Sequence, residues 1–431
     1  MSKNRAATAS RVFGVGGAGL DLDVGQLRRI LRETLDSYSL GSRVLAIVPD
    51  KTRDDPTHLL FPMLCEELPR SVERIDVLVA QGTHVAMSDA EKRSKVGLDA
   101  ARSQRFSGEL YDHHWDDPAE LVSIGTIDAG RAAELTGGLY HDSIDLKINR
   151  LLAPGVYDTV FVLGGTTPHE VAGFSGGAKY FFPGVGGPDV THATHWVGAL
   201  TTIEQTIGRV DTPIRRLLDE ISQFIPPQVV SLNSVVNRTP EGRLRIHALF
   251  AGEIVEAFRR AAAVSAEIHI RYLPRRFARV VALLDSHYDE MWTGGKASYR
   301  LGAIIEPGGQ LIIYAPHLAR VSQTHGALIR RYGYHVLDRV REMVEQHEDL
   351  RSNLCIAAHL AHVRYAGEWK DGIETPRFEI ILASQVSESE CRQVNLGYLD
   401  PASFDLSQYN DPDTLVVENA GRDLFLYDPE A

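Results

Sequence analysis

The chain alternates short apolar runs with segments of helical periodicity, and this alternation constrains its fold more than any other feature. In the first half, strand-like runs cover Arg43–Pro49, Arg74–Ala80 and Thr159–Leu163. Asp23 has the character of a helix N-cap, and a second helix is predicted over Thr57–Leu68. Buried strands that alternate with helices indicate a parallel sheet covered on both faces. The predicted fold class is therefore α/β.

The second half of the chain repeats this pattern. Strands are predicted over Val280–Leu284, Leu311–Ala315 and Phe378–Ala383, and one long helix over Leu318–Glu345. Between the two halves, Val229–Phe250 has the pattern of a β-hairpin. We therefore predict two α/β domains with mostly parallel sheets flanked by helices.

The domain boundary is predicted near residue 273. Residues 1–272 would form the N-terminal domain and residues 273–400 the C-terminal domain. The last segment, residues 401–431, has further strand character, and its return to the first domain is left open.

Composition excludes several classes of partner. The formal net charge of −12 argues against nucleic acid and anionic membranes, which bind basic patches. Three widely spaced cysteines, Cys65, Cys355 and Cys391, indicate a reducing compartment. No apolar run reaches the length of about 18 residues that a bilayer crossing needs. Met1–Ser10 has no hydrophobic signal core and reads as a loose tail. We therefore expect a cytoplasmic protein.

Polar side chains follow three of the predicted strands. Asp50–Arg53 comes after the first, Gln81–His84 after the second and Gly164–His169 after the third. In open parallel sheets, ligands bind beyond the carboxyl ends of the strands. A single histidine is more often a surface or core residue, so a structural role for His84 and His169 stays open.

The glycine-rich stretch Gly173–Lys179 is the most informative segment. Clustered glycines let backbone N–H groups approach an anion closely, and Lys179 could act as a counter-charge or a nucleophile. The spacing differs from that of a P-loop, and an ordinary structural turn is the alternative. Further on, His192 and His195 could present two imidazoles to a metal, or could lie at the surface.

A second glycine motif lies near the start of the chain. Gly14–Gly19 matches the pattern GxGxxG, but only Arg11–Phe13 precede it and the predicted helix begins beyond Asp23. The dinucleotide fingerprint requires a strand that leads directly into a helix. An NAD-dependent oxidoreductase is therefore an alternative that rests on this segment alone.

Several segments together resemble the motifs of the lactate racemase family, over roughly Val44 to Lys296. In chain order they are Asp50–Arg53, Gly82–His84, Ile148–Arg150, Pro168–Lys179, Pro183–Gly184 and His195. The resemblance implies a cofactor-binding N-terminal domain and an active site in the cleft between two α/β domains. It also implies a racemase or epimerase that inverts C2 of a 2-hydroxy acid.

The resemblance implies a role for individual residues. The cofactor would be a nickel-pincer nucleotide, a pyridinium mononucleotide with two sulfur arms and a carbon–nickel bond, supplied by separate cofactor-biosynthesis proteins. Lys179 would hold it covalently, His195 would ligate the nickel, and His84 and His169 would be the acid–base pair. Further cofactor contacts would be Asp50, Lys51, Thr52, Arg53, Ser175, Gly176 and Gly177. Substrate contacts would be Arg53, Trp292, Thr293 and Lys296.

Three positions depart from the pattern of the family. Members that use lactate carry Tyr-Gln before the substrate lysine, whereas this chain has Trp292 and Thr293. Phe378 stands where the family has a tryptophan. We therefore expect a substrate other than lactate, such as the aldonic acid gluconate. Its extra hydroxyls could bind further polar residues that could equally lie at the surface, namely His287, Tyr288, Ser298, His317 and His325.

Other functions remain open beside this one. A lactate racemase proper is the nearest alternative. A metal-dependent hydrolase could be built from His84, His169, His192 and His195, and a non-enzymatic carrier of nickel or of a nucleotide is also compatible. The sequence indicates no particular oligomeric state.

Overall fold

A computed structural model describes residues 11–431, apart from the side chains of residues 104 and 105. The tail predicted at residues 1–10 lies outside the described part. The chain divides into two compact units. The first runs through Thr191 and takes in Val210–Ile268, and the second comprises His192–Arg209 and His269–Ala431.

The first unit is built on strands from the beginning of the chain and from a later hairpin. These strands are β1 (Val12–Gly16), β2 (Arg43–Pro49), β3 (Arg74–Ala80), β4 (Leu110–Tyr111), β5 (Leu121–Ile127), β6 (Ile144–Asn149), β7 (Thr159–Gly165), β8 (Pro168–His169), β9 (Gly173–Phe174), β10 (Gln228–Arg238) and β11 (Leu244–Gly252). The helices up to this unit's end are α1 (Val24–Leu35), α2 (Thr57–Glu67), α3 (Asp89–Lys95), α4 (Ala100–Arg105), α5 (Ala129–Thr136), α6 (Pro188–Thr201), α7 (Ile203–Thr206), α8 (Pro213–Ile221) and α9 (Ile254–His269). The chain passes into the second unit within α6 and returns before α8.

Seven strands form the main sheet of the first unit, in the order β1-β11-β10-β7-β2-β3-β4. The strands from β10 to β4 are parallel to their neighbours, whereas β11 and β1 pair in antiparallel fashion. Apolar side chains of α1 and α2 pack in one core cluster with side chains of this sheet. Leu31 and Phe61 are fully buried there, and each such side chain contributes about 1.5–3 kcal/mol through burial.

Local sequence signals account for where these elements begin. Asp23 accepts a hydrogen bond from Gln26 N at 2.8 Å, and the Gln26 side chain accepts one from Asp23 N at 3.0 Å. This reciprocal capping box starts α1, as the sequence predicts. The predicted hairpin is also confirmed, since β10 and β11 pair in antiparallel register.

The second unit has its own sheet. Its strands are β12 (Ile270–Leu273), β13 (Phe277–Leu283), β14 (Ile305–Ala315), β15 (Gly367–Lys370), β16 (Ile373–Pro376), β17 (Phe378–Ser384), β18 (Gly397–Tyr398), β19 (Thr414–Glu418) and β20 (Leu424–Tyr427). Its remaining helices are α10 (Met291–Gly294), α11 (Lys296–Leu301), α12 (Gly326–Tyr332), α13 (Leu337–Gln346), α14 (Glu348–Arg351), α15 (Leu354–Val363) and α16 (Glu388–Gln393). Five strands form an all-parallel sheet in the order β18-β17-β14-β13-β19. The predicted α/β class with mostly parallel sheets is therefore confirmed.

The prediction of one long helix over residues 318–345 is wrong. The helical part begins only at Gly326, and Gly333 separates α12 from α13. Gly333 has φ +75°, a left-handed value that ends a helix readily. The break places the Tyr334 side chain fully in the core. Apolar residues on both sides keep the helical spacing, so periodicity alone did not reveal the interruption.

The glycine motif at the start of the chain does not have the dinucleotide-binding context. β1 includes Gly14 and Gly16 and pairs in antiparallel register with β11 at the sheet edge. The next helix begins at Val24, after a separate cap. The strand that leads directly into a helix, which the fingerprint needs, is therefore not formed by this segment.

The last segment of the chain belongs with the second unit. β19 pairs with β13 and β20 pairs with β12. The sequence leaves a return of residues 401–431 to the first domain open and gives no sign of the excursion His192–Arg209. Among the residues that the structure describes, no helix has both the length and the apolar character required for crossing a bilayer.

Candidate active site

The carboxyl edge of the first sheet gathers the polar segments that the sequence singles out. β2 lies between β3 and β7, and all three strands run in the same direction. Asp50–Arg53 follows β2, Gln81–His84 follows β3, and the chain leaves β7 for His169 in β8. Because parallel strands end at one edge, these segments emerge on the side of the sheet where ligands bind.

Asp50 and His84 form a hydrogen-bonded pair at this edge. Asp50 Oδ2 lies 2.7 Å from His84 Nδ1. The other carboxylate oxygen accepts from Thr52 N at 2.8 Å and from Thr52 Oγ1 at 2.5 Å. Burial, the largest single influence, opposes ionisation of Asp50. The charge and hydrogen bond of His84, the charge of Arg53 and the hydrogen bond of Thr52 together outweigh it, so the pKa of Asp50 lies well below its ordinary value.

The ionised state of Asp50 fixes the tautomer of His84. A carboxylate only accepts hydrogen bonds, so the His84 Nδ1–H must donate to it. The lone pair of neutral His84 is then on Nε2. The His84 side chain is 25% exposed whereas Asp50 is buried, so the imidazole is the accessible member of the pair.

His169 is held in the opposite way. It lies in a short hairpin, where β8 pairs with β9 and His169 is opposite Gly173. Its Nδ1 accepts a hydrogen bond from the Val171 N–H at 3.1 Å. A neutral imidazole that accepts at Nδ1 carries its proton on Nε2. Glu170 Oε2 lies 3.5 Å from the same Nδ1, and both side chains are largely buried.

Helix α3 holds the segment that follows β2. Lys95 Nζ donates to Asp55 Oδ2 at 2.6 Å and to the Arg53 carbonyl at 2.8 Å. Lys51 Nζ pairs with Glu91 at 2.6 Å, and both of these side chains are exposed. Lys51, which the resemblance assigns to the cofactor, is thus engaged with α3 in this structure.

The glycine-rich segment is fixed by hydrogen bonds within the first unit. Ser175 Oγ donates to the Gly165 carbonyl at 2.9 Å and accepts from Thr167 N at 3.0 Å. Gly177 N donates to Asn233 Oδ1 at 2.9 Å. Gly176 has φ +95°, and a Cβ there would lie 2.6 Å from Thr166 Oγ1, so glycine is required. Ser175 Oγ and the Gly177 N–H thus have protein partners, and Lys179 follows in a 3₁₀ turn over Gly177–Tyr180.

A buried arginine holds the same segment from α8. The Arg215 guanidinium donates to the carbonyls of Ala172 at 3.1 Å, Phe174 at 2.6 Å and Gly176 at 3.4 Å. It also lies 3.8 Å from the centroid of the Phe258 ring. Burial lowers the pKa of Arg215 to about 10, so the group is charged at neutral pH. Three carbonyl dipoles and a ring face therefore solvate a buried cation beneath the glycine-rich segment.

The loop after Lys179 is tied to the upstream motif Ile148–Arg150. Asn149 N donates to the Val185 carbonyl at 2.9 Å, and the Asn149 side chain lies 3.2 Å from His113 Nδ1. His113 Nε2 lies 3.0 Å from the Gly186 carbonyl, and burial lowers the pKa of His113 to about 4. A neutral His113 therefore bridges the two segments. Asn149 thus has a structural role. The same loop also contacts the segment after β3, since the Gly184 carbonyl accepts from Gly82 N at 2.9 Å.

Two buried polar atoms at this edge have no hydrogen-bond partner among residues 11–431. They are Gln81 Oε1, just beyond the end of β3, and Thr166 Oγ1, just beyond the end of β7. An unsatisfied buried polar atom costs roughly 1–3 kcal/mol. A polar ligand at the carboxyl edge could satisfy such atoms.

In the second unit, Trp292 belongs to a group of aromatic and imidazole rings. The ring centroids of His325 and His359 lie 4.4 Å and 4.1 Å from that of Trp292. Tyr334 contacts His359 edge-on at 5.6 Å. We call Trp292, His325 and His359 the ring cluster. His359 was not anticipated, because in the apolar helix α15 it reads as a core residue.

The other candidate substrate residues have varied surroundings. Lys296 Nζ lies 5.9 Å from the centroid of the Tyr288 ring, and Thr293 Oγ1 donates to the Glu290 carbonyl at 3.1 Å. The buried Ser298 hydroxyl donates to the Val363 carbonyl at 2.5 Å, which favours its structural reading.

Three further positions that the sequence singled out in this unit have mainly local partners. His317 Nε2 lies 3.1 Å from the Tyr288 carbonyl, and the exposed His287 pairs with Asp285 at 2.8 Å. Phe378 is buried and contacts Tyr365 edge-on at 6.2 Å.

The two histidines of α6 differ in their contacts. His192 Nδ1 accepts from Cys355 N, at the start of α15, at 3.3 Å. His195 lies one turn further along α6 and is partly buried. Within residues 11–431, no three His, Cys, Asp or Glu side chains converge in a way that could hold a metal ion.

Comparison with known proteins finds a family match that covers much of the first unit and the segment His192–Gly208 of the second. Residues 28–208 match the model of the lactate racemase N-terminal domain. Over 167 residues the chain is 30% identical to the lactate racemase of Lactiplantibacillus plantarum. This match covers 38% of this chain and 35% of that protein. Over 154 residues it is 28% identical to the lactate racemase of Thermoanaerobacterium thermosaccharolyticum, with 35% and 32% covered. Over residues 28–208, the chain is therefore similar to the lactate racemase family.

Solved structures extend the likeness beyond the matched sequence. A crystal structure of a protein from Thermotoga maritima has a TM-score of 0.87 and 33% identity, covering 96% of this chain and 100% of that one. The lactate racemase apoprotein of T. thermosaccharolyticum has a TM-score of 0.67 at 16% identity, with the same coverage, and so shows the fold. In sequence, the matches span about a third of the length of the two lactate racemases.

The family match covers the candidate residues unequally. Residues 28–208 include His84, His169, Lys179 and His195 but end before Trp292. Sequence reasoning also missed Glu170 and Arg215. Glu170 lies within the motif Pro168–Lys179, in which only other residues, such as His169 and Lys179, were assigned roles. Arg215 lies on an amphipathic helix, where a surface position is the ordinary expectation for arginine.

Proposed function

We propose that this chain is a racemase or epimerase that inverts C2 of a 2-hydroxy acid. The observation that carries the proposal is the Asp50–His84 pair at a carboxyl sheet edge, within residues that match the lactate racemase N-terminal domain. The pair directs Nδ1–H of His84 at the carboxylate, so the neutral imidazole has its lone pair on Nε2, which is the form a general base requires. His169 follows a neighbouring strand and is proposed as the second acid–base group.

The chemistry explains why two such groups are needed. A carboxylate stabilises a carbanion poorly, so deprotonation of C2 is difficult. Loss of the C2 hydrogen as hydride instead gives a stable 2-keto acid, provided that a base takes the hydroxyl proton. An imidazole suits this role because its reference pKa of about 6.5 lies near neutral pH. The two stereoisomers present the hydroxyl in two directions, so each requires its own base.

The residues at the sheet edge fit the nickel-pincer nucleotide that the family resemblance implies. The unpaired Gln81 Oε1 and Thr166 Oγ1 offer polar contacts at the edge where a ligand is expected. Lys179 would attach the cofactor, with Asp50–Arg53 and Ser175–Gly177 around it, and His195 would ligate the nickel. When bound, the cofactor supplies a reversible hydride acceptor.

The protein's own groups would orient the substrate and move its proton. Arg53 and Lys296 would hold the carboxylate while the keto group reorients. His84 Nε2 would take the hydroxyl proton of one stereoisomer, and His169 Nε2 would return a proton on the other side. Asp50 would stabilise the imidazolium of His84 as it forms.

The substrate is proposed to be longer and more polar than lactate. Trp292 and Thr293 replace the Tyr-Gln of members that use lactate, and the ring cluster surrounds Trp292 with two imidazoles. Imidazole N–H groups can donate to hydroxyls, and an aromatic face can pack against a carbon chain. We therefore propose an aldonic acid such as gluconate, in a cytoplasmic enzyme loaded by cofactor-biosynthesis proteins.

The deciding experiment measures mass, nickel and stereochemistry on one preparation. The full chain is produced together with the cofactor-biosynthesis proteins, and its intact mass and nickel content are determined. A nucleotide-sized adduct should be present, absent in Lys179→Ala and retained in Lys147→Ala, whose lysine pairs with Asp189 at the surface.

The same loaded protein is then incubated with gluconate and with lactate in D2O. Inversion at C2 without deuterium incorporation there is expected, because a transferred hydride does not exchange with solvent. Deuterium at C2 would rule out hydride transfer, and a bare chain under conditions that load a known lactate racemase would contradict the cofactor assignment.

A further inference from the structure

The Nδ1 atom of His169 has two neighbours with opposite hydrogen-bonding character. The Val171 N–H donates to it at 3.1 Å, and Glu170 Oε2 lies 3.5 Å away on a side chain that is only 14% exposed. The proposed reaction assigns no part to Glu170. A nitrogen placed between a donor and an acceptor can exist in either of two protonation states.

In the hydrogen-bonding state of this structure, His169 cannot take up a substrate proton at Nε2. With Nδ1 accepting from Val171, neutral His169 carries its proton on Nε2 and has no lone pair there. A base that acts through Nε2 requires the proton on Nδ1, and such an Nδ1–H requires an acceptor. Glu170 Oε2, at 3.5 Å, is an acceptor close to that nitrogen.

We infer that Glu170 is a positioning residue that converts His169 from a resting Nε2–H tautomer to a working form with Nδ1–H directed at Glu170. The conversion adds one proton from water at Nδ1 and releases one from Nε2, and no electrons move. In the working form, the substrate O–H bond breaks as the Nε2–H bond forms, which gives an imidazolium, and the reverse direction returns that proton to the substrate oxygen. Hydride transfer would be the role of the nickel-pincer nucleotide.

The two histidines are therefore not equivalent. His84 is held in its working tautomer by Asp50 at 2.7 Å, whereas His169 must exchange the Val171 N–H for Glu170 before it can act. The catalytic part of this inference rests on the proposed function. The tautomers themselves are properties of the protein and can be measured without cofactor or substrate.

The first test is a spectroscopic one on the apoprotein. Long-range ¹H–¹⁵N spectra of ¹⁵N-histidine-labelled full-length protein, assigned with His84→Gln and His169→Gln, report which nitrogen carries the proton. At pH 8, His84 should be protonated on Nδ1 and His169 on Nε2. Wild-type His169 that is protonated on Nδ1 instead would overturn the resting state that we infer.

A variant then tests Glu170 itself. Glu170→Gln should lower the pH at which His169 becomes doubly protonated by about one unit, because the carboxylate stabilises the Nδ1–H of the imidazolium. Glu374→Gln is the matched control, since it removes the carboxylate 2.6 Å from His335 and should leave His169 unchanged. Glu170→Asp, which keeps the charge, is expected to titrate between wild type and Glu170→Gln.

The kinetic arm uses the loaded enzyme and separate stereoisomers. Glu170→Gln should lower the steady-state inversion rate by about tenfold or more, within the range for impaired acid–base groups. The isomer that gives its proton to His84 should still react in a single turnover. Equal rates for wild type and Glu170→Gln would contradict the inference. Absence of turnover in the wild type would contradict the proposed function instead, and the spectra would still decide the role of Glu170.

Discussion

The carboxyl edge of the first sheet and the ring cluster of the second unit are built from different kinds of contact. At the edge, backbone groups hold several side chains, as when the Val171 N–H contacts His169 and three carbonyls hold Arg215, while His84 pairs with the Asp50 carboxylate. In the ring cluster, Trp292 is surrounded mainly by other side chains, at 4.4 Å and 4.1 Å. Backbone contacts depend on the fold, whereas ring contacts change with each substitution. We infer that the first region carries the reaction and the second the choice of substrate.

The largest expected effect tests the edge through its best-defined pair. Asp50→Asn should lower turnover by about 100-fold or more, because the amide can hold His84 with its lone pair on Nδ1, the wrong nitrogen for catalysis. The matched control is Asp285→Asn, which alters the pair of Asp285 with the exposed His287 at 2.8 Å. The measurement is kcat of the loaded enzyme. Equal losses in both variants would show that the edge pair has no special role.

The next prediction concerns the buried cation beneath the glycine-rich segment. Arg215→Met should lower the free energy of unfolding by about 2 kcal/mol, because three carbonyls lose their donor while the cost of burying a charge disappears. It should also reduce the yield of the Lys179 adduct. Arg216→Met on the same helix is the control, since Arg216 is exposed and pairs with Asp211. Urea unfolding and intact mass supply the two readings, and an unchanged adduct yield would contradict the anchoring role.

Sequence and structure agree best where a single chain segment carries the signal. Asp23 with Gln26, the apolar runs of β2 and β3, and the order of motifs around His84 are all local patterns that can be read without the fold. The partner of His84 could be guessed only as a neighbouring strand end, since residues 50 and 84 meet through sheet pairing.

What could not be predicted depends on contacts between distant segments. Arg215 meets the carbonyl of Ala172 only because α8 packs under the glycine-rich segment. His359 joins Trp292 from a helix whose apolar sequence indicates nothing but core. The break at Gly333 was missed because a single glycine does not disturb the apolar spacing around it.

The ring cluster is tested by restoring the residues of members that use lactate. The double variant Trp292→Tyr with Thr293→Gln should shift the ratio of kcat/KM for gluconate over lactate toward lactate by about tenfold, a typical size for altered pocket contacts. Trp369→Tyr is the control, because Trp369 packs on Arg339 elsewhere in the unit. A loss of turnover on both substrates alike would show that the ring cluster takes part in the reaction itself. It would contradict the assignment of the reaction to the sheet edge and of substrate choice to the ring cluster.

The smallest expected effect distinguishes two ways of holding Arg215, namely hydrogen bonds to backbone carbonyls and an ion pair with Asp219. Burial raises the pKa of Asp219 to about 6, against the opposing charges of Arg215 and Arg259 and from an ordinary value of 3.8. Because the folded pKa is the higher one, the contribution of Asp219 to stability is complete below about pH 4 and is lost as the pH rises through 6. Ionised Asp219 therefore lowers the stability of the folded protein at neutral pH, although it lies near a cation.

Asp219→Asn should therefore stabilise the protein by about 1 kcal/mol at pH 8, less than the full shift would give because the side chain is 19% exposed. The gain should shrink below pH 6 and vanish near pH 4. Asp211→Asn, at an exposed position, should show no such trend. Thermal unfolding across this pH range measures both. If Asp219→Asn instead destabilises the protein at pH 8, an ion pair is what keeps Arg215 beneath the glycine-rich segment. The support of the glycine-rich segment would then depend on side-chain pairing, as the ring cluster does.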